Sequence, residues 1–231
     1  MRSAISENLL RVTNSIETLK SSLGINYPIR LIAVSKLQPA EAIREAYDNG
    51  HRYFGENYVD ELVQKASQLP NDIRWHMIGH LQSNKIKKLL SVPNLAAIET
   101  VDSIDLATKL NTQALKSRPN EKLNVFVQIN TSNEATKSGI TPENCHEIVS
   151  HIISNCSSLN FKGIMTIGLR GSAEDFVILN EAKRQICSVL SLEEREIELS
   201  MGMSGDYEEA IRNGSTNVRV GSLIFGERPK H

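Results

Sequence analysis

Cysteine is scarce in this sequence. The 231 residues include three cysteines, Cys145, Cys156 and Cys187, with no CxxC pair among them. An odd and widely spaced set does not indicate a disulfide framework, and disulfides persist mainly outside the reducing cytoplasm. We therefore expect reduced thiols and a cytoplasmic protein.

Net charge and long apolar runs are lacking as well. The chain has 26 Lys and Arg residues against 27 Asp and Glu residues, a formal net charge of −1. Such a balance creates no strong field for nucleic acid or a membrane surface. The N-terminal segment carries charges throughout, including Glu7 and Glu17, and has no long apolar core. It does not predict a signal peptide, a transit peptide or a membrane span. From the charge balance and this segment together, we expect no nucleic-acid partner and no membrane partner.

What the chain does contain is a regular alternation of strand-like and helix-like segments. Apolar runs predict eight strands, at residues 31–35, 53–57, 75–79, 95–101, 125–130, 161–168, 198–202 and 217–221. A helical pattern lies between each strand and the next, which is typical of a parallel sheet with crossover helices. Eight such units fit an α/β fold of the (β/α)8 TIM-barrel type, with residues 1–231 as a single domain. An open, doubly wound sheet is the alternative, but no GxGxxG motif follows the first strand.

The N-terminal segment predicts an additional helix. Apolar residues recur there at alternating spacings of four and three, at Ile5, Leu9, Val12, Ile16, Leu19 and Leu23. These positions form one stripe, so we expect a helix within residues 1–24 that packs on the barrel. A coiled-coil seam would show a similar stripe and is the alternative.

Lys36 follows a strand that is predicted to be buried on both faces. The run 31–35 shows no polar alternation, and the period of two places Lys36 on the same face as Ile32 and Val34. One interpretation is that the strand ends there and the amine reaches solvent. The other is a reactive amine, because the pKa of lysine falls readily on burial.

Two loops near the C-terminus have the composition of a phosphate site. The predicted seventh strand is followed by Ser204 and Gly205, and the eighth is followed by Gly221 and Ser222. In barrels, phosphate sites frequently form from the loops after strands seven and eight. The alternative is that these Gly and Ser residues only form turns.

A short helix is predicted to begin near Asp206. Asp206 and Glu209 have the spacing of a capping box, and the N–H groups of a helix start favour an anion. The Asp206 carboxylate opposes a bound phosphate unless it faces away as a cap.

Closure of the barrel would bring four groups into one arc at the carboxyl ends of the strands. Lys36 lies on strand one, Asn57 on strand two and Arg219 on strand eight, beside the Ser204 loop of strand seven. Active sites of such barrels lie at this end. An amine, a guanidinium and a phosphate loop suit pyridoxal phosphate, whose aldehyde forms an imine with lysine and whose ring nitrogen takes an Asp or Arg partner. For Arg219 alone, an ion pair with a carboxylate on a neighbouring strand is the alternative.

Seven motifs extend this interpretation from the first strand to the C-terminus. They are LIAVSK, FGENYVDEL, WHMIGHLQSNK, IETVDS, GIMTIG, SMGMSGDYEEAI and STNVRVGSLIFGER. In this order they resemble the YggS/PROSC family, the pyridoxal phosphate homeostasis proteins, whose fold is similar to the N-terminal barrel of alanine racemase. The resemblance implies that Lys36 forms the imine and that Arg219 is the partner of the pyridine nitrogen. It implies that Asn57 lies near the ring and that the phosphate contacts Ser204, Gly205, Gly221 and Ser222.

Two features favour binding over catalysis. The racemases that this barrel resembles add a C-terminal domain with a tyrosine base, whereas this chain ends at His231, shortly after predicted strand eight. An arginine does not give up its proton, so the ring nitrogen would stay unprotonated and the ring would be a poorer electron sink.

We expect a cytoplasmic, monomeric, non-catalytic protein that stores, delivers or buffers pyridoxal 5'-phosphate, with apo-enzymes that use this cofactor as partners. A racemase and a Schiff-base aldolase acting on a sugar phosphate are the alternatives.

The remaining motifs are interpreted as structural. His76 and His80 are four residues apart on a strand and its exit, without the Glu of HExxH, so we expect no metal site and a hydrogen-bonded core role for His76. Lys85, Lys87 and Lys88 are typical of a solvated helix face, with binding of phosphate or nucleic acid as the alternative. Glu56, the neighbour of Asn57, is assigned a structural role.

Overall fold

Eight parallel strands form a closed barrel in chain order. The structure, a computed structural model, describes residues 3–132, 134, 138–169 and 172–227. The strands are β1 Arg30–Val34, β2 Tyr53–Glu56, β3 Arg74–Met77, β4 Leu95–Val101, β5 Leu123–Gln128, β6 Leu159–Met165, β7 Glu198–Ser200 and β8 Asn217–Val220. Each pairs with the next, and β8 pairs with β1. The predicted (β/α)8 barrel is therefore confirmed, with strand ends within three residues of those expected.

Helices surround the barrel. In the described residues the α-helices are α1 Ala4–Ser22, α2 Ala40–Asp48, α3 Val59–Ala66, α4 Ile86–Leu89, α5 Ile104–Ser117, α6 Cys145–Asn155, α7 Ala173–Leu190, α8 Tyr207–Arg212 and α9 Ser222–Phe225. Short 3-10 turns lie at Ser83–Lys85, Pro142–Asn144 and Glu194–Glu196. The helices bury an apolar stripe, as Ile43 and Ala46 of α2 illustrate, because residues three and four apart share a helix face.

The buried residues form two layers. The larger apolar cluster lies between the outer strand faces and the helices and includes Trp75 and Val218. Ala97, Phe126 and Met165 form a separate small cluster, which the alternation of strand side chains assigns to the barrel lumen. By the same alternation Arg219, flanked by outward-facing Val218 and Val220, also projects into the lumen. The barrel thus has an apolar outer layer and a partly polar interior.

The predicted N-terminal helix is α1, and it packs within the chain. The Ser3 hydroxyl accepts the Ser6 N–H at its start, and Leu9, Val12 and Ile16 are buried. Helix α1 contacts α2, α8 and α9, so its apolar stripe is covered by the barrel helices. Among the described residues, no helix has the length and apolarity that crossing a membrane requires.

All three cysteines are buried and free. Burial raises the pKa of the Cys145 thiol to about 11 and also raises the pKa values of the Cys156 and Cys187 thiols. Thiols with raised pKa values are poor nucleophiles at neutral pH. These three side chains therefore act as small apolar core residues.

Candidate functional site

A cavity of about 350 Å³ lies at the carboxyl ends of the strands. It is lined by all seven residues singled out from the sequence, Lys36, Asn57, Ser204, Gly205, Arg219, Gly221 and Ser222. Val34, Ile78, Ile167, Met203 and Asp206 complete the lining. The closure of the barrel explains the grouping, since pairing of β8 with β1 sets Arg219 opposite Ile32.

Lys36 lies just beyond β1, between this cavity and a second one. The second cavity, of about 380 Å³, is also lined by Lys36, together with Gln38 and Glu227. The side chain of Lys36 is half-buried. Lys36 therefore borders two cavities although the strand before it is buried.

The backbone next to Lys36 is held in a strained conformation. Leu37 has a φ of 62°, a left-handed conformation that a leucine rarely adopts. The Leu37 N–H donates to Glu61 Oε1 at 2.6 Å. Strain of this kind persists only where surrounding contacts hold it, and such positions cluster at functional sites.

Buried charges hold the other side of Lys36. Glu56 is fully buried and accepts the Ser35 hydroxyl at 2.6 Å and the Lys65 ammonium at 2.7 Å. Lys65 also donates to the Ser35 carbonyl at 2.7 Å and to Glu61 at 2.6 Å. Burial raises the pKa of Glu56 to about 7, although Lys65 and Ser35 oppose the rise. This cluster fixes the residues on both sides of Lys36.

Arg219 is buried against polar partners on two other strands. Its Nη1 donates to Ser200 Oγ at 2.7 Å and its Nη2 to the Thr166 carbonyl at 2.6 Å. Among the described residues no carboxylate forms a direct ion pair with Arg219, so the alternative of an ion pair to a neighbouring strand is not found; the strongest charge effect on Arg219 is that of Glu99. Burial lowers the pKa of Arg219, while Glu99 and Asp206 act to raise it.

The loops after β7 and β8 join at a hydrogen bond. The Gly221 N–H donates to the Ser204 hydroxyl at 3.1 Å. Among the described residues, none accepts from the N–H groups of Ser204, Gly205 or Ser222. Backbone donors and hydroxyls that converge without protein acceptors suit an anion such as a phosphate.

Comparisons with known proteins identify the relatives of this chain. The family described as alanine racemase, N-terminal domain, matches residues 8–229. The pyridoxal phosphate homeostasis protein of Mus musculus is 48% identical, covering 94% of this chain and 83% of that protein. That of Vibrio cholerae is 39% identical over 99% of this chain and 98% of its own. The chain belongs to the pyridoxal phosphate homeostasis protein family.

Solved structures place this family member among related barrels. PipY of Synechococcus elongatus, solved with PLP bound, is 33% identical with a TM-score of 0.74, covering 96% of this chain and 100% of that one. An alanine racemase of Clostridium difficile is 18% identical with a TM-score of 0.72, covering 97% of this chain and 58% of that one. The similarity to the alanine racemase shows a shared fold alone. The family resemblance of the sequence motifs is confirmed.

One expectation for the site of this family member is wrong. Asp206 and Glu209 do not form a capping box, because the Asp206 side chain makes no capping hydrogen bond to α8. Asp206 Oδ1 instead accepts the Met203 N–H at 2.6 Å, while Glu209 accepts from Asn213. The carboxylate turns back into the preceding loop, so it fixes that loop rather than the helix.

The residues interpreted as structural occupy structural positions. His76 is buried with Nδ1 at 2.5 Å from Glu99 Oε1, which confirms its hydrogen-bonded core role. Lys85 and Lys88 are on the surface, and both pair with Asp60. Two side chains that support the site, Lys65 and Glu99, were not predicted from the sequence. The spacing of Glu61 and Lys65 is typical of a helical ion pair, but no local pattern indicates their contacts with Ser35 and Leu37 after β1.

Gly202, at the start of the loop after β7, permits a close approach to α8. Its φ is +94°, and a Cβ there would lie 2.5 Å from the Ala210 Cβ. Gly50 has a similar φ of +92° with nothing within 4 Å of such a Cβ. We expect Gly50→Ala to lower the free energy of unfolding by about 1 kcal/mol through backbone strain. Gly202→Ala should lower it by about 3 kcal/mol, because steric overlap adds to the same strain.

Urea unfolding of the two variants measures this difference. Since the backbone strain is matched, the difference between them reports the overlap with α8. Equal losses of stability in the two variants would contradict a tight contact at Gly202.

Proposed function

We propose that this chain binds pyridoxal 5'-phosphate in the cavity at the carboxyl ends of the strands and acts in cellular homeostasis of that cofactor. One observation carries the proposal: an amine, a guanidinium and a loop pair rich in N–H and hydroxyl donors line the same cavity. These groups fit the aldehyde, the ring nitrogen and the phosphate of the cofactor. The solved relative PipY, with PLP bound, supports it.

Each lining residue has a role in this proposal. Lys36 holds the aldehyde carbon as a Schiff base, a carbon–nitrogen double bond that forms with loss of one water. Arg219 donates to the ring nitrogen, and Asn57 lies beside the ring. The phosphate is held by Ser204, Gly205, Gly221 and Ser222. When bound, the cofactor supplies an electrophilic carbon that reacts with amines.

Binding without turnover is the second part of the proposal. A racemase must move protons on both faces of a substrate carbon. Within the described part of the chain, the ionisable side chains lining the cavity are Lys36, Asp206 and Arg219. Asp206 is engaged with the loop backbone, and a guanidinium keeps its proton. This set supports storage, delivery or buffering over racemisation, and an amino-acid racemase remains the alternative because racemases share the fold.

The proposal also covers the cellular location of the protein and the recipients of the cofactor. Three buried, unpaired thiols support a reducing, cytoplasmic location. Enzymes that lack their pyridoxal phosphate are the proposed recipients. The monomeric state expected from the sequence stays a prediction.

A transfer experiment tests the proposed function. The cofactor-loaded chain is mixed with an apo-enzyme in the presence of a phosphatase that destroys free pyridoxal phosphate. We expect activation of the apo-enzyme to survive the phosphatase, whereas an equal amount of free cofactor loses its effect. Activation that disappears with the phosphatase would contradict delivery.

A second measurement separates binding from racemisation. The loaded chain is incubated with a panel of L-amino acids in deuterated water. We expect no exchange at Cα at catalytic protein concentrations. Rapid exchange would favour the racemase.

A further inference from the structure

Four buried polar side chains cross the barrel lumen behind the proposed ring site. Arg219 on β8 donates to Ser200 on β7 at 2.7 Å, and the Ser200 hydroxyl donates to Glu99 Oε2 on β4 at 2.5 Å. Glu99 Oε1 lies 2.5 Å from Nδ1 of His76 on β3. The four side chains are each at most 4% exposed. They form a continuous chain from the cofactor cavity into the core.

The direction of these hydrogen bonds is determined by their chemistry. A guanidinium only donates, and a hydroxyl has one hydrogen. Since Ser200 donates that hydrogen to Glu99, it accepts from Arg219, and its orientation is set from both sides. His76 donates to the other carboxylate oxygen and holds Glu99 from the far side of the lumen.

Glu99 supplies the negative charge that balances the buried guanidinium. Burial raises the pKa of the Glu99 carboxyl, but the hydrogen bond and charge of His76, the charge of Arg219 and the Ser200 hydroxyl outweigh it and leave that pKa below its usual value. Glu99 is therefore ionised at neutral pH. A buried cation without such a partner is costly, so Glu99 favours the placement of Arg219 in the lumen.

A second carboxylate competes for Arg219. Asp206 lines the cofactor cavity, and its charge acts on Arg219 less strongly than that of Glu99. If Glu99 were neutral, Asp206 would be the other carboxylate of the described residues whose charge acts on the guanidinium. The attraction that holds Arg219 to its partners in the lumen would then weaken relative to the attraction toward the Asp206 loop.

We propose that Glu99 and Ser200 are positioning residues that hold the Arg219 guanidinium in the orientation required to donate to the ring nitrogen. The inference rests on the proposed function, because it concerns how that site is aligned. Two of the five N–H groups of Arg219 donate to Ser200 and Thr166. The others have no acceptor in the part of the chain that the structure describes, and they serve the ligand.

Two substitutions test this role against a matched control. Glu99→Gln keeps the size of the side chain and removes the charge, and Ser200→Ala removes the bridging hydroxyl. Ser215→Ala is the control, since Ser215 is also fully buried but bonds only backbone carbonyls, including that of Met201 at 2.8 Å. We expect Glu99→Gln and Ser200→Ala to weaken pyridoxal phosphate binding about tenfold or more, as loss of a hydrogen bond to a charged group implies. They should also shift the absorbance maximum of the bound cofactor, whereas Ser215→Ala should change neither.

The side-chain NMR signals of Arg219 in the cofactor-free protein provide an independent measurement. We expect slow exchange of the Arg219 N–H groups in the wild type and in Ser215→Ala, and fast exchange in the other two variants. Folded variants with wild-type affinity, absorbance and exchange would overturn the positioning role. If Glu99→Gln fails to fold, Ser200→Ala alone decides the outcome. If the wild type takes up no pyridoxal phosphate, the proposed function is overturned. Faster exchange of the Arg219 N–H groups in Glu99→Gln and Ser200→Ala would still support the positioning role in that case.

Discussion

Replacing Lys36 with alanine is expected to abolish the visible absorbance of the chain incubated with pyridoxal phosphate. Among the described residues, Lys36 is the lysine that lines the cavity, and a Schiff base needs a primary amine. After borohydride reduction, the wild type should retain the cofactor covalently on the peptide that contains Lys36. The variant should retain none, although its phosphate loops still allow reversible binding. Absorbance spectra and peptide mass spectrometry provide the measurement.

The control for this prediction is Lys183→Ala. Lys183 is also half-buried but lines a cavity at the opposite end of the barrel, formed by the amino ends of β1 and β2. We expect this variant to keep the wild-type colour and the same labelled peptide. Covalent labelling that persists in Lys36→Ala would show that another amine carries the cofactor.

Replacing Arg219 with alanine is expected to weaken cofactor retention strongly without preventing Schiff-base formation. The substitution removes the donor to the ring nitrogen but leaves the Lys36 amine in place. Loss of a hydrogen bond from a charged group corresponds to about tenfold to hundredfold in affinity. It also removes one of the charges that stabilise the buried Glu99 carboxylate and the two hydrogen bonds from Arg219 to Ser200 and Thr166, so the free energy of unfolding should fall by about 3 kcal/mol. Equilibrium dialysis and urea unfolding measure the two effects.

Arg219→Lys separates the two contributions. Lysine keeps a buried positive charge near Glu99, but it lacks the planar fork that donates to Ser200 and Thr166 at once. We expect this variant to recover most of the stability and only part of the affinity. Unchanged affinity in Arg219→Ala would show that this arginine has a structural role alone.

Local patterns in the sequence were sufficient for the barrel and for the residues around the cavity. Periodic apolar runs predicted the eight strands, because alternation and helical spacing are local properties. In a parallel barrel all carboxyl ends meet at one face, so the sequence alone places residues near strand ends, such as Lys36 and Arg219, close together. The Ser204 and Gly221 loops follow from the same rule, since β7 and β8 are neighbours.

The capping box at Asp206 shows where a local pattern was not sufficient. Its spacing was correct, yet the carboxylate bonds the Met203 N–H in the preceding loop. A short polar side chain can satisfy nearby backbone donors on either side. The choice between them depends on the path of the loop between β7 and α8, which is a tertiary feature.

The partners of the buried polar side chains were decided only by the tertiary structure. Ser200 and Glu99 are 101 residues apart in the chain, and Lys65 reaches the Ser35 carbonyl across 30 residues. Strand alternation indicates that a side chain faces the lumen, but the tilt and stagger of the strands determine which side chain it meets there. The sequence by itself therefore determined the barrel and the residues at its mouth. The three-dimensional packing decided how the buried charges beneath Lys36 and Arg219 are paired, because those contacts join strands that no local pattern relates.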